Sequence, residues 1–102
     1  MSAYVIVNVD TTSPEEYEEY KLLAQQTVAQ FGGEYLVRGG RMQRLEGDWS
    51  PTRLVLLVFE SFERALEWWN SPEYAPAKAL RQRISKTDMI VMDGYEGHAP
   101  SK

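Results

Sequence analysis

Apolar and polar positions along the chain follow two periods, and the points where one gives way to the other divide it into elements. "AYVIVNV" (3–9) is β-branched and aromatic throughout and predicts a strand. The next apolar positions, Tyr17, Tyr20, Ala24, Val28 and Phe31, step by three and four, which lines them along one helical face. Ser13 stands as N-cap of that helix, Pro14 at its first position and Glu16 where a capping box would close. Gly32 and Gly33 end it. "EYLVRGGRMQRLEGD" (34–48) reads as a long strand interrupted at Gly39 and Gly40, with a turn at "EGDWSP". "RLVLLVFE" (53–60) is the strongest strand. Ser61 opens a second helix through "FERALEWWN", and Ser71 with Pro72 restarts it in a changed direction as far as about Ile84. "DMIVMDGYE" (88–96) predicts the last strand. A single domain over residues 1–96 is expected, with "GHAPSK" (97–102) as a flexible tail.

The order βαββαβ predicts an α+β, ferredoxin-like fold, in which a four-stranded antiparallel sheet carries its helices on one face. The other face of such a sheet should alternate if water covers it. These strands do not alternate: Tyr4 and Ile6 interleave with Val5, Val7 and Val9, and the runs Leu54 to Phe59 and Met89 to Met92 are continuously apolar. Four strands of this length present an open face of about 400 Å². An apolar patch of that size marks an interaction surface. A homodimer with two sheets face to face, a dimeric α+β barrel, is the expected cover.

Composition narrows the function classes. The 102 residues are 43% hydrophobic and 25% charged, which is ordinary globular usage. A net charge of −4 opposes nucleic-acid binding, whose affinity rests on neutralising phosphates. The absence of cysteine excludes disulfides, thiolate nucleophiles and cysteine zinc sites, and suits a cytoplasmic protein. The amino terminus has no basic leader pattern, and no apolar run approaches a membrane span, so no membrane association is expected. His98, the single histidine, sits in the tail, which argues against a histidine base or haem ligand within the fold. The acids at 15, 16, 18 and 19 read as a solvated helix start favoured by the dipole. No metal and no cofactor are expected.

The stretch "VRGGRMQRLEGDW" (37–49) gathers charge with glycine. It lacks the spacing and following helix of a phosphate loop. Arg38, Arg41 and Arg44 as a nucleic-acid patch are opposed by Glu46 and Asp48. The glycine pair suits a bulge that bends the strand. Arg38, just before it, either turns inward as a planar fork for an acidic ligand or pairs with Glu46 or Glu34 across a hairpin.

The segments "YEEYKLLAQQTVAQFGGEYLVRGG", "LEGDWSPTRLVLLVF", "ALEWWNSPEY" and "IVMDGYE" together resemble the family of domain of unknown function 1330, in the dimeric α+β barrel superfamily. The resemblance spans residues 3–96 and implies that fold, a homodimer and a bacterial cytoplasmic protein, without an assigned reaction. The positions matching recurrent ones of the family are Tyr20, Gly33, Arg38, Glu46, Trp68, Tyr74 and Arg81. Trp69 stands where tyrosine is more usual. Cofactor-free oxygenases of the superfamily use an asparagine and a tryptophan, and Asn8 with Trp68 resembles that pair. Asn8 is equally suited to satisfying backbone groups.

Tyr20, Trp68, Tyr74 and Arg81 either line a ligand cleft between helices and sheet or are simply core. The candidate binding set is therefore Arg38, Tyr20, Trp68, Tyr74, Arg81, Glu46 and Asn8. It fits a homodimer binding a small acidic or partly apolar metabolite. The alternatives are a non-enzymatic structural or interaction dimer, and an oxygenase-like enzyme. The sequence leaves open whether the protein is an enzyme at all.

Overall fold

The computed structural model describes residues 2–95. The expected tail, with His98, lies outside them. The elements are β1 (Ala3–Thr11), α1 (Pro14–Gln30), β2 (Glu34–Arg38), β3 (Leu54–Phe59), α2 (Phe62–Asn70), α3 (Ala75–Ile84) and β4 (Ser85–Asp93). They form one four-stranded antiparallel sheet in the order β2-β3-β1-β4, with the helices on one face, as the ferredoxin-like pattern predicts.

Register sorts the side chains. Val5 pairs with both Leu57 and Val91, and Val7 with Val55 and Met89, so these residues share one face. There Val5, Val7, Val9, Val55, Leu57 and Phe59 are buried under Tyr17, Tyr20, Ala24, Val28, Ala65, Trp68, Tyr74, Ala77 and Ile84 of the helical layer. The helices meet the sheet closely because small residues sit at the contacts. A Cβ on Gly33 would lie 2.6 Å from the Phe59 ring, so only glycine lets α1 hand the chain to β2 at this distance. Gly32, at φ +77, supplies the left-handed turn that ends α1.

Among the described residues nothing covers the opposite face. Tyr4, Ile6, Leu54, Leu56 and Val58 are only half-buried, Val37 is exposed, and Ile90 and Met92 are 55% and 45% exposed. The unbroken apolar runs thus serve two faces, one roofed by helices and one open.

The expected long strand over 34–48 is corrected. Pairing with β3 ends at Arg38, and residues 39–53 form a loop. Gly39, at φ +71, turns the chain out of the ladder, and Gly39 N–H makes the last bond to the Leu54 carbonyl at 2.9 Å. Beyond it β3 has no further residues to pair. The bulge also falls earlier than Gly39 and Gly40: the register shifts between Tyr35 and Val37, so that Leu36 is the extra residue. Further boundaries move too. β4 begins at Ser85 rather than 88, because its polar start pairs with Asp10 and Thr11 at the extended end of β1. Ser13 does not cap the backbone of α1; its hydroxyl donates to Glu16 Oε1 at 3.0 Å. α3 starts at Ala75, after a turn in which Ser71 Oγ accepts from Tyr74 N–H at 3.1 Å.

Candidate functional site

Four of the sequence candidates meet inside the helical layer. Trp68, on α2, is buried, and its indole N–H donates to Thr27 Oγ1 at 3.0 Å. The Thr27 hydroxyl in turn donates to the Ala24 carbonyl at 2.9 Å. The indole lies between Phe59 and Tyr74, at centroid separations of 5.3 and 4.2 Å. Tyr74, in the turn before α3, is fully buried, and its hydroxyl shares a hydrogen bond of 2.7 Å with that of Tyr20 on α1. Arg81, on α3, donates from Nε to the Tyr74 oxygen at 3.4 Å and sits 6.0 Å from the Tyr20 ring centre. Aromatic packing and a polar thread therefore run through the same residues, so the cluster is core and carries polar atoms inward as well.

Arg81 is the unusual member. It is 4% exposed, and no carboxylate lies within 4.0 Å of it among the described residues. A guanidinium taken from water without a counter-ion is costly unless a partner compensates. Burial works against its charge, but the Tyr74 and Tyr20 hydroxyls outweigh this and leave its pKa raised. Burial, with Tyr74 beside it, pushes the Tyr20 hydroxyl well above the usual tyrosine range. The Tyr20 hydroxyl therefore meets Arg81 as a neutral dipole, and no carboxylate among the described residues answers the guanidinium charge.

Among the described residues, Trp68 borders two spaces between the helical layer and the sheet. One is a small cavity of about 20 Å³ under α1, touched by Tyr17, Tyr20, Tyr35 and Arg38. That is room for a single water. The other, of about 300 Å³, lies between α2, α3 and β4 and is lined by Trp69, Arg81, Gln82, Thr87, Met89 and Ile90 among others. This volume matches the lower end of small-molecule pockets. Trp69 at its rim is held by Lys78, whose ammonium lies 3.7 Å from the ring centre and donates to the Trp69 carbonyl at 2.9 Å.

The remaining candidates sit elsewhere. Arg38 pairs with neither Glu46 nor Glu34. Its guanidinium donates to Gln25 Oε1 at 2.7 Å and to the Lys21 carbonyl at 3.3 Å, and lies over the Tyr35 ring at 4.2 Å. Burial pushes the Tyr35 hydroxyl up to about 12. Glu46 is exposed in the 39–53 loop, beside Met42, Leu45 and Trp49, away from the aromatic cluster. Asn8 shares the open face with Ile6. Its Oδ1 accepts from the Thr52 and Arg53 N–H groups at 2.9 and 3.2 Å, which ties the end of the loop to β1. The sheet therefore stands between Asn8 and Trp68. Sequence reasoning missed Thr27, Gln82 and Thr87; Thr27 carried a signal, since a threonine beside the apolar stripe of α1 needs an inward partner.

Among the described residues no three histidine, cysteine, aspartate or glutamate side chains gather as metal ligands would. No described helix is long and apolar enough to cross a membrane.

The family model described as "Domain of unknown function (DUF1330)" matches residues 2–95. No curated protein matches the chain. Among solved structures, the chain is similar to a protein of unknown function from Rhodopseudomonas palustris, at 17% identity and a TM-score of 0.73, covering 93% of this chain and 83% of that one. It is similar to a dimeric ferredoxin-like protein of unknown function from a Jannaschia species, at 11% identity and a TM-score of 0.69, covering 92% and 100%. It is also similar to a cofactor-independent oxygenase from Streptomyces nogalater, at 11% identity and a TM-score of 0.62, covering 93% and 94%. At these identities the likeness establishes the ferredoxin-like fold.

Proposed function

The chain belongs to the DUF1330 family, and we propose that it is a homodimer whose subunits each bind a small acidic, partly apolar molecule between α2, α3 and β4. One observation carries the binding reading: Arg81 is buried with no carboxylate beside it among the described residues, on the wall of a space of about 300 Å³. A ligand carboxylate supplies the missing anion and accepts from the planar guanidinium fork, a charge-assisted contact in a site largely shielded from water. Val5, Trp68, Trp69 and Met89 receive the apolar body, while Gln82 and Thr87 offer polar contacts at the wall. The Tyr20–Tyr74 pair holds the guanidinium in place from behind.

Dimerisation is supported by the uncovered apolar face, and a structural neighbour is described as dimeric. Two sheets face to face would remove Ile6, Leu56, Val58, Ile90 and Met92 from water. The sheet lies between Asn8 and Trp68, so the oxygenase-like alternative gains no assembled residue pair from this chain.

The test is thermal-shift screening against aliphatic and aromatic carboxylic acids, with amide and alcohol analogues as controls. Acids are expected to raise the melting temperature of the wild type, the analogues not, and Arg81→Ala to abolish the shift. Because Arg81→Ala can also loosen the core, Thr87→Phe serves as a second variant that fills the pocket with uncharged bulk while leaving the buried cluster intact. A shift that survives both substitutions, or no shift with any acid, would leave the structural-dimer reading instead.

A further inference from the structure

We propose a second binding site, for a compact dianion, in the hollow where α1 passes over the ends of β2 and β3. It is an open hollow of about 310 Å³, lined by Lys21, Arg38 and Arg53, with Glu18, Leu22 and Gln25 at its sides. It goes beyond the Arg81 pocket, with which it shares no lining residue.

Three cations against one carboxylate is the reverse of the chain's bias, which is 15 acidic to 11 basic residues. The single acid, Glu18, is engaged with Lys21 at 2.9 Å. Among the described residues, Arg38 and Arg53 have no carboxylate within 4.0 Å. Their partners are neutral: Gln25 and the Lys21 carbonyl for Arg38, and the Tyr17 hydroxyl, at 3.2 Å from Nε, for Arg53. Hydrogen bonds of this kind orient the guanidinium groups and leave their charge unanswered.

The two arginines are placed by the sheet. Arg38 is opposite Val55, so Arg53, two residues before Val55, is its diagonal neighbour on the same face. Tyr17, Lys21 and Gln25 recur every four residues and bring one stripe of α1 down onto both. Rigidity comes from ring contacts, with Arg38 at 4.2 Å over Tyr35 and Arg53 at 5.4 Å over Tyr17. Gly39 leaves room for Arg53. A Cβ there would lie 2.6 Å from Arg53 Cζ, and the backbone is at φ +71, so this arginine can occupy its place only beside a glycine. Long side chains held ready in this way lose little further freedom when an anion arrives.

The hollow also limits what can bind. It borders the small cavity under α1 through Lys21 and Arg38, but that cavity, at about 20 Å³, takes no more than a water. The body of a ligand therefore stays outside, and only a head group enters. Two guanidinium groups and an ammonium suit two negative charges on one compact head, a phosphate monoester or a short dicarboxylate.

Calorimetric titration of the wild type with phenyl phosphate and with succinate, at low salt and with chloride and acetate as monovalent controls, tests this. Saturable binding of one dianion at concentrations below ~10 mM, weakened about tenfold or more in Arg38→Gln and in Arg53→Gln, is expected. The tighter of the two ligands assigns the source of the charge. Gly39→Ala is expected to weaken binding with both arginines present, which mere net charge would not do. Arg81→Ala should leave this binding unchanged, so failure of either site is read without the other. No saturable binding of either dianion, or binding unaffected in the folded Arg38→Gln/Arg53→Gln double variant, would overturn the proposal.

Discussion

Val5, Val7 and Val9 on one side of β1 are matched by Tyr4 and Ile6 on the other, yet the first three are buried and the last two only half so. The same holds along β3, where Val55, Leu57 and Phe59 are buried and Leu54, Leu56 and Val58 half-buried. On the helical side each valine meets a packed layer whose centre is Trp68, wedged between Phe59 and Tyr74. On the open side no described element packs over them. The difference separates two roles for one kind of side chain: one set makes the subunit, and the other is available to join subunits. Substitutions on the two faces should therefore change different measurements.

The largest effect is expected from the helical face. Trp68→Ala removes a fully buried indole and leaves Thr27 without its donor. A cavity of that size costs about 3–5 kcal/mol of folding stability. Urea unfolding at fixed protein concentration measures it, and a loss below about 1 kcal/mol would mean the helical layer collapses readily around the gap.

Next comes the open face. Leu56→Glu lies behind β3, away from the helices, and should leave the subunit folded with a near-native circular dichroism spectrum. If two sheets pack together, the substitution is felt twice. Lost burial at about 1.5 kcal/mol per copy weakens association by about 3 kcal/mol, roughly a hundredfold in Kd. Sedimentation equilibrium of both proteins over a concentration series checks this. A wild type that is monomeric throughout would mean the open face serves some other purpose.

These two faces were legible in the sequence because parity along a strand is a local property: residues two apart share a side whatever the tertiary structure. The stripe of α1 was legible for the same reason, at its own period. Residues 39–53 were not. Val37, Met42 and Leu45 suggest an extended segment, but a strand exists only where a neighbour offers a ladder, and β3 is used up by Glu34–Arg38. The site shows the same limit. Tyr20, Trp68, Tyr74 and Arg81 could be named individually, whereas the bond between Tyr20 and Tyr74 joins residues 54 apart and follows from packing alone. Arg53 had no signal of its own until Gly39 and Tyr17 were placed against it.

The smallest effect belongs to a third surface, the outside of the helical layer, where the start of α1 is tied to α3. Arg83 Nη2 donates to Glu16 Oε2 at 2.7 Å, and Ser13 supports the same carboxylate. The hydrogen bond from Arg83, then that from Ser13, holds the Glu16 carboxyl below its ordinary 4.5. A lowered pKa in the folded chain means the unfolded chain binds the proton more readily, so stability from this contact rises with pH. It is present in full above the ordinary value and fades as pH falls through the lowered one. The Arg83 and Glu16 side chains are 63% and 42% exposed, so the contribution is modest and screened by salt. Arg83→Ala should therefore melt slightly below the wild type at about pH 7, with the gap closing towards about pH 3 and in roughly 1 M sodium chloride. A gap that persists at low pH and high salt would mean that Arg83 acts through the packing of its stem. The outer surface would then join the helical face as part of the core rather than stand apart from both.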